Sequence, residues 1–212
     1  MRPPVTMPGY HQGRVPANKG KKYPAEILTP EEIARLFQQI SAQTSIGIRN
    51  RALLTVLYRA GLRHSEALAL LPKDVDLRAG TIAVLHGKGD RSRVVGIDPV
   101  ACGVISDWIE RRSQLGFGAI PRLFCTLRGT SMKTSYLKAL LPKLASQAAI
   151  AKRVHPHGLR HTHAYELMME GVEMGIIQRQ LGHVSLATTA IYLNHIAPKQ
   201  VIETMHKREW NL

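Results

Sequence analysis

The chain has 212 residues, enough for one domain with a substantial core, and its formal net charge is +14. This positive excess favours a polyanionic partner, most often nucleic acid. The sequence contains neither an apolar run of the roughly 18 residues that a membrane span needs nor an apolar signal core at its N-terminus. Its only cysteines are Cys102 and Cys125, which exclude a disulfide scaffold and a CxxC zinc pattern. We therefore expect a cytoplasmic protein with reduced thiols.

Residues 1–24 are predicted to form a basic, flexible N-terminal arm. The segment contains several prolines and no acidic residue, so it has little to bury and should remain extended. It either runs along DNA phosphates or is a solvated leader. On the first interpretation, its DNA-binding candidates are Arg14, Lys19, Lys21 and Lys22.

Regular structure is predicted from Thr29 onward. Thr29 can cap a helix, Pro30 suits the first turn, and the two glutamates that follow favour the positive end of the helix. Two β-branched runs, 81–85 and 93–97, flank a Gly-Lys-Gly-Asp turn and predict a β-hairpin. The expected fold class is α+β, mostly α-helical with a small antiparallel sheet. Further helices are predicted over residues 48–60, 65–71, 99–115, 134–150, 158–170, 173–181 and 185–193.

The stretch AGLRHSEAL, residues 60–68, is the first with candidate chemistry. Gly61 ends a helix, Arg63 follows in the turn, and Glu66 lies one helical turn later. An ordinary i,i+3 ion pair on a surface helix would also explain this pattern.

The predicted hairpin tip, HGKGDRSR at residues 86–93, is the second. Glycines around Lys88 allow the tip to approach the backbone of a ligand, although a lysine at a tip is often only solvated. Arg91 and Arg93 in the same stretch are further DNA-binding candidates. The sequence has no Walker phosphate-binding loop, and no GxGxxG motif follows a strand.

The third stretch is HPHGLRH, which ends at His161. Pro156 keeps the residue before it out of a helix, so a helix is expected to begin near His157 or Gly158 with Arg160 close to its N-terminus. Arginine and histidine at a helix N-terminus suit an anion.

A zinc site at His157 and His161 has the correct i,i+4 spacing. However, the HExxH motif is absent, no cysteine or carboxylate lies nearby in sequence, and Arg160 between the histidines would repel a cation. We therefore predict no metal. Farther along, Gly182 ends a helix and places His183 in a turn, and the next predicted helix carries Tyr192.

These motifs, in this order and spacing, resemble the catalytic domain of the tyrosine recombinases, the phage-integrase and Xer-type family. The resemblance runs from about Thr29 to His195. It implies a site-specific DNA recombinase or integrase that cleaves and rejoins strands through a 3′-phosphotyrosyl intermediate, without metal, ATP or another cofactor. It also implies double-stranded DNA with specific recombination sites as the partner, and a homotetramer assembled on that DNA.

The resemblance also assigns roles to individual residues. Two guanidiniums can hold the phosphate oxygens and stabilise the charge that develops there, and nearby cations favour the phenolate of a tyrosine, whose ordinary pKa is about 10. The implied roles are phosphate binding for Arg63 and Arg160, general acid for Lys88, the first histidine of HxxR for His157, the second His/Trp position for His183, nucleophile for Tyr192, and the supporting acidic position for Glu66.

The chain also departs from this family. The family usually has a separate N-terminal DNA-clamping domain, whereas here the catalytic motifs follow a short arm. We expect residues 25–212 to form the catalytic domain of a short single-domain recombinase, or of a protein without its clamping domain. His163 stands where the family commonly has an aromatic residue. A type IB topoisomerase and a non-catalytic DNA-binding regulator are the alternatives. The LGH and HxLRH spacing disfavours the first, and the filled catalytic positions disfavour the second.

Overall fold

The computed structural model describes residues 26–85, 92–182 and 205–208. Within these ranges the predicted α+β class, mostly helical with a small antiparallel sheet, is confirmed. The basic arm, the hairpin tip at 86–91 and the helix predicted over 185–193 lie outside the described residues. The helices are α1 (Pro30–Gln38), α2 (Ser45–Arg59), α3 (His64–Ala69), α4 (Pro99–Gln114), α5 (Thr134–Gln147), α6 (Pro156–Met169) and α7 (Met174–Leu181), and the strands are β1 (Val75–Asp76), β2 (Thr81–Val84) and β3 (Arg93–Gly96).

Local capping explains where the first two helices begin. At α1, the Thr29 hydroxyl accepts a hydrogen bond from the Glu32 amide, and the Glu32 carboxylate accepts one from the Thr29 amide, as the TPEE pattern predicts. Helix α2 starts before the predicted residue 48, because the Thr44 hydroxyl accepts a hydrogen bond from the Gly47 amide and caps an earlier turn.

Several predicted boundaries differ from the structure. Helix α3 ends at Ala69, before the predicted residue 71, and a short 3₁₀ turn over Pro72–Asp74 follows it. Helix α6 begins at Pro156, where the missing amide hydrogen costs nothing, and His155 caps it by accepting a hydrogen bond from the Gly158 amide at Nδ1. Strand β1 has two residues, too few for a sequence pattern, and was not predicted.

Helix α2 occupies the centre of the molecule and packs against both α4 and α6. Its apolar side chains are buried nearly all round, with Leu53, Leu54 and Leu57 fully enclosed. Trp108 of α4 is also fully buried, and its indole N–H donates to the Leu123 carbonyl at 2.9 Å, so its polar atom is satisfied. This packing holds the start of α6 against the junction between α2 and α3.

The end of α7 meets the same region through a second, smaller apolar cluster of Ala164, Met168, Ile177 and Leu181. Strand β3 contacts α7 as well. The α2–α3 junction, the start of α6, the end of α7 and the base of the hairpin therefore come together. No helix in the described part of the chain has the length and apolar character needed to cross a membrane.

Candidate active site

The turn between α2 and α3 depends on Gly61. Its φ is +61°, a left-handed conformation that favours glycine, and a Cβ there would lie 2.6 Å from Cδ2 of His163. The turn leaves Arg63 at the N-cap of α3. Gly61, which the sequence shows between a helix and Arg63, is thus needed because the α2–α3 turn crosses closely over α6 at this residue.

Arg160 lies on α6 and is almost completely buried, with 2% of its surface exposed. Its Nη1 donates to the Gly61 carbonyl at 2.5 Å, and its Nη2 donates to the Leu181 carbonyl. Gly61 follows the end of α2 and Leu181 ends α7, so both acceptors lie at helix C-termini, where carbonyls lack intrahelical partners and carry partial negative charge. These contacts hold the guanidinium in one orientation.

Arg63 approaches the same point from the other side. Its Nη2 lies 3.5 Å from the Gly182 carbonyl, the one immediately after the Leu181 carbonyl that binds Arg160. Its Nη1 donates to Glu66 Oε1 at 2.8 Å. The two predicted phosphate-binding arginines are therefore side by side, on consecutive carbonyls that directly precede His183 in the chain.

Glu66 is the electrostatic centre of this arrangement, with a side chain only 2% exposed. Its carboxylate accepts four hydrogen bonds: from the Arg63 amide and Nη1, and from both terminal nitrogens of Arg93, at 2.8 to 3.0 Å. Burial by itself raises the pKa of Glu66, but the hydrogen bonds from Arg93 and Arg63 outweigh it and lower the pKa to about 2. Glu66 is therefore ionised throughout the physiological pH range.

The expectation that Arg93 contacts DNA does not fit its position. Its side chain is 13% exposed, and both terminal nitrogens bind Glu66. Its Nε donates to the Gln180 carbonyl at 3.3 Å. A bidentate pair with a buried carboxylate is stronger than a solvated contact, so the guanidinium is turned inward.

His157 lies near the arginines with its ring 6.0 Å from that of His64, at 83° to it, and 6.4 Å from that of His161. Burial lowers the pKa of His157, and electrostatic interactions with His64 and Arg160 lower it further. The imidazole is therefore neutral at neutral pH and can accept a proton. Across residues 26–85, 92–182 and 205–208, no group of three or more histidine, cysteine or acidic side chains is arranged to hold a metal ion.

A cleft of about 520 Å³ opens beside His157. Among the described residues, arginine, lysine and histidine side chains line it and no acidic one does, so it suits an anionic ligand. These side chains include His64, Lys138, Arg153, His155 and His157.

The remaining predicted site residues lie outside the described ranges: Lys88, His183, Tyr192, Arg91 and the four basic residues of the arm, Arg14, Lys19, Lys21 and Lys22. Chain connectivity still constrains three of them. Lys88 and Arg91 belong to the connection between β2 and β3, and His183 directly follows Gly182.

Sequence reasoning missed Gln180. Its side-chain amide accepts from the Gly96 amide, donates to the Gly96 carbonyl at 2.9 Å and reaches the Ala60 carbonyl at 3.4 Å. It joins β3 to α7 beside the site. A polar residue near a helix end has no distinctive sequence pattern, so only the packing of α7 on β3 identifies it.

Comparison with known proteins agrees with this geometry. The model of the phage integrase family matches residues 26–198. Tyrosine recombinase XerC of Halalkalibacterium halodurans is 34% identical over 199 residues, which cover 90% of this chain and 65% of the relative. Tyrosine recombinase XerD of Bifidobacterium longum is 34% identical over 200 residues, covering 90% and 64%. The chain thus spans slightly less than two thirds of the length of these relatives.

Solved structures show the same fold. The crystal structure of XerA recombinase has a TM-score of 0.78 and 30% identity, covering 95% of this chain and 72% of that one. The XerH site-specific recombinase, solved in a post-cleavage complex with a palindromic difH substrate, has a TM-score of 0.72 and 27% identity, covering 87% and 54%. The resemblance to tyrosine recombinases seen in the sequence is confirmed, and the chain belongs to the phage integrase family.

Proposed function

We propose that this chain carries the catalytic domain, residues 25–212, of a site-specific DNA recombinase that breaks and rejoins strands through a 3′-phosphotyrosyl intermediate. One observation carries the proposal. Arg63 and Arg160, distant in sequence, converge on the carbonyls of Leu181 and Gly182, immediately before His183. Two fixed guanidiniums form a receptor for a phosphodiester and for the extra negative charge of its transition state.

The proposed reaction needs no external energy source, because each phosphoester bond that breaks is replaced by another. The Tyr192 phenolic oxygen attacks the scissile phosphorus, a tyrosine–phosphorus bond forms, and the bond to the 5′ oxygen of the leaving strand breaks. Lys88 gives that oxygen a proton. A 5′-hydroxyl then attacks the phosphotyrosine, which restores the phosphodiester and frees Tyr192. Because one phosphoester replaces another, rejoining needs neither ATP nor a metal.

The histidines complete the proton transfers in this proposal. Neutral His157 is suited to accept the phenolic proton as Tyr192 attacks and to return it when Tyr192 is released, since its lowered pKa keeps it uncharged beforehand. His183 would supply a second imidazole at the phosphate. The Glu66 carboxylate accepts a hydrogen bond from Arg63, so its proposed role is to orient that arginine.

The proposed partner is double-stranded DNA carrying specific recombination sites, bound by a homotetramer in the cytoplasm. The net charge of +14 and the basic cleft at His157 support a DNA partner. The similar XerH site-specific recombinase was solved bound to a palindromic difH substrate, which supports the same class of ligand. Arg91 and the arm residues Arg14, Lys19, Lys21 and Lys22 are proposed to contact phosphates.

The test is covalent trapping. The protein is incubated with labelled, nicked duplexes tiled across the DNA that flanks its gene, and denaturing gels reveal any protein–DNA adduct. We expect an adduct with the wild-type chain, none with Tyr192→Phe, and an undiminished adduct with Tyr165→Phe as a matched tyrosine control. An adduct that persists in Tyr192→Phe contradicts the assigned nucleophile. Tight binding without any adduct favours a DNA-binding regulator.

A further inference from the structure

Arg93 holds Glu66 through a complete fork. Its Nη1 donates to Oε1 at 3.0 Å and its Nη2 to Oε2 at 2.9 Å, while Arg63 occupies the other lone pair of each oxygen. All four acceptor positions of the carboxylate are thus filled, two by each arginine. Neither arginine can be removed without leaving the buried carboxylate short of donors.

The charges of this cluster also require Arg93. Arg63 and Glu66 alone form a neutral pair. Without Arg93, the negative charge of Glu66 would therefore offset the whole positive charge of Arg63. With Arg93 present, the three side chains carry a net charge of +1 in a buried setting, where Coulomb interactions are weakly screened. That net charge leaves Arg63 able to attract a phosphate.

Arg93 also sits at a structural junction. Among the described residues it forms, with Val84, the pair of the hairpin nearest to the segment that contains Lys88. Its side chain covers Gly182, where a Cβ would lie 2.7 Å from the Arg93 Cδ. Arg93 therefore contacts the supports of three predicted catalytic groups: Arg63 through Glu66, Lys88 through the hairpin base, and His183 through Gly182.

We infer that Arg93 is a positioning residue of the active site and does not contact DNA. Through its two hydrogen bonds to Glu66 it offsets the carboxylate charge beside Arg63, and it fixes the start of β3, which follows the segment that contains Lys88. The inference rests on the proposed strand-cleavage function. It predicts that Arg93 affects the rate of cleavage rather than the affinity for DNA.

The experiment uses Arg93→Gln, Arg93→Lys, Glu66→Gln and the double variant Arg93→Gln/Glu66→Gln in the full chain. Arg78→Gln is the control, because Arg78 is an exposed arginine near the same small sheet. The probes are the nicked duplexes tiled across the DNA flanking the gene. Each variant is measured for adduct formation rate at saturating DNA, for Kd as a function of salt, and for folding by circular dichroism and thermal unfolding.

We expect Arg93→Gln to slow adduct formation about 100-fold while its Kd stays within about twofold of wild type and its salt slope is unchanged. Arg93→Lys should recover about tenfold of that loss, because it restores the charge but not the fork. Arg78→Gln should behave as wild type.

The double variant separates positioning from a general structural role. Removing the Glu66 charge makes the compensating charge of Arg93 unnecessary, so the double variant should cleave about tenfold faster than Arg93→Gln. If Arg93 served only the stability of the fold, the second substitution would instead add to the damage of the first. If Arg93→Gln fails to fold, the adduct formation rates of Arg93→Lys, Glu66→Gln and the double variant are compared instead. They distinguish a positioning role of Arg93 from a purely structural one in the same way.

Three results overturn the inference. The first is an Arg93→Gln rate equal to wild type, which leaves the proposed function intact. The second is a weaker affinity of Arg93→Gln for DNA, with the slope of log K against log salt reduced by about 1, as expected for the loss of a direct phosphate contact. The third is a double variant no faster than Arg93→Gln. A wild-type chain that forms no adduct removes the proposed function and this inference together, and is thereby distinguished from the other outcomes.

Discussion

The guanidinium of Arg160 donates to the carbonyl of Gly61 at 2.5 Å, which joins the first turns of α6 to the α2–α3 turn that precedes Arg63. A second hydrogen bond, to the Leu181 carbonyl, extends the link to the end of α7. One buried side chain thus aligns three segments that are separate in sequence. Its orientation depends on both acceptors, and this gives substitutions at Arg160 a definite expected pattern.

Arg160→Lys is expected to reduce both stability and catalysis. Lysine restores the charge but cannot span two carbonyls with a planar fork, so we expect a loss of about 2 kcal/mol in the free energy of unfolding. Adduct formation at saturating DNA should slow by about 100-fold or more, because the guanidinium no longer stabilises the charge of the transition state. Urea unfolding and single-turnover trapping measure the two effects.

Arg51→Lys is the matched control for that substitution. Arg51 donates through one nitrogen to the carbonyls of Phe37 and Ile40 at the end of α1, so it makes the same kind of contact away from the site. Its stability should fall while its cleavage rate per folded molecule stays at the wild-type value. Equal rate losses in Arg51→Lys and Arg160→Lys would contradict the proposed role of Arg160.

Gly182→Ala should damage the site beyond the strain of its backbone. Gly182 has φ +64°, and a Cβ would lie 2.7 to 2.9 Å from the Arg93 side chain. Gly171 has φ +79° with nothing within 4 Å of a Cβ, so Gly171→Ala isolates the backbone strain. We expect Gly171→Ala to cost about 1 kcal/mol and Gly182→Ala roughly twice that.

The two glycine variants should also differ in function. Displacement of Arg93 in Gly182→Ala should slow adduct formation about tenfold, whereas Gly171→Ala should leave the rate unchanged. Chemical denaturation and single-turnover trapping on the same preparations provide the comparison. Indistinguishable behaviour of the two variants would show that the Arg93 contact at Gly182 is unimportant.

His163 should make the fold sensitive to mild acid. Burial, followed by the charges of Arg59 and Arg160, lowers the pKa of His163 to about 4, against about 6.5 in an unfolded chain. Between these values the unfolded chain binds more protons, so stability falls as the pH falls from about 6.5 to about 4, by about 3 kcal/mol in all. This contribution is fully present above about pH 6.5.

The variant His163→Phe removes this titrating group. In urea unfolding, the stability of wild type relative to the variant should therefore decline by about 3 kcal/mol between pH 7 and pH 4. His206→Asn, at an exposed position, should follow the wild-type curve. His157, whose pKa is also lowered, contributes equally to both proteins and cancels in the comparison. Parallel curves for wild type and His163→Phe would refute the assignment.

The basic arm should contribute to DNA affinity by binding phosphates. Replacing Arg14, Lys19, Lys21 and Lys22 together by glutamine should weaken binding and flatten the dependence of log K on log salt by about 0.9 for each phosphate that the arm neutralises. Kd values measured at several salt concentrations give the slope. Lys73→Gln/Arg78→Gln, at two exposed cations near β1, is the control. An unchanged slope in the arm variant would favour the solvated leader.

Local sequence signals were sufficient for much of the fold. The start of α1 followed from TPEE, and the hairpin from its β-branched runs around a glycine turn, because capping and turn formation act over a few residues. Predicted helix boundaries were wrong where an unusual residue caps the helix. At α6 the imidazole of His155 is the cap, so the helix begins at Pro156 and not at residue 158. The order and spacing of the motifs were enough to recognise the family.

The arrangement of the site came from packing over long sequence separations. The ion pair between Arg63 and Glu66 could be anticipated, since both lie on one helical turn. Three other contacts could not be anticipated: the two hydrogen bonds from Arg93 to Glu66, the carbonyl acceptors of Arg160, and the hydrogen bonds between the Gln180 side chain and the Gly96 backbone. These contacts exist only after α2, α6, α7 and β3 have buried their apolar faces together, and periodicity within one segment does not say which buried arginine will meet which carboxylate.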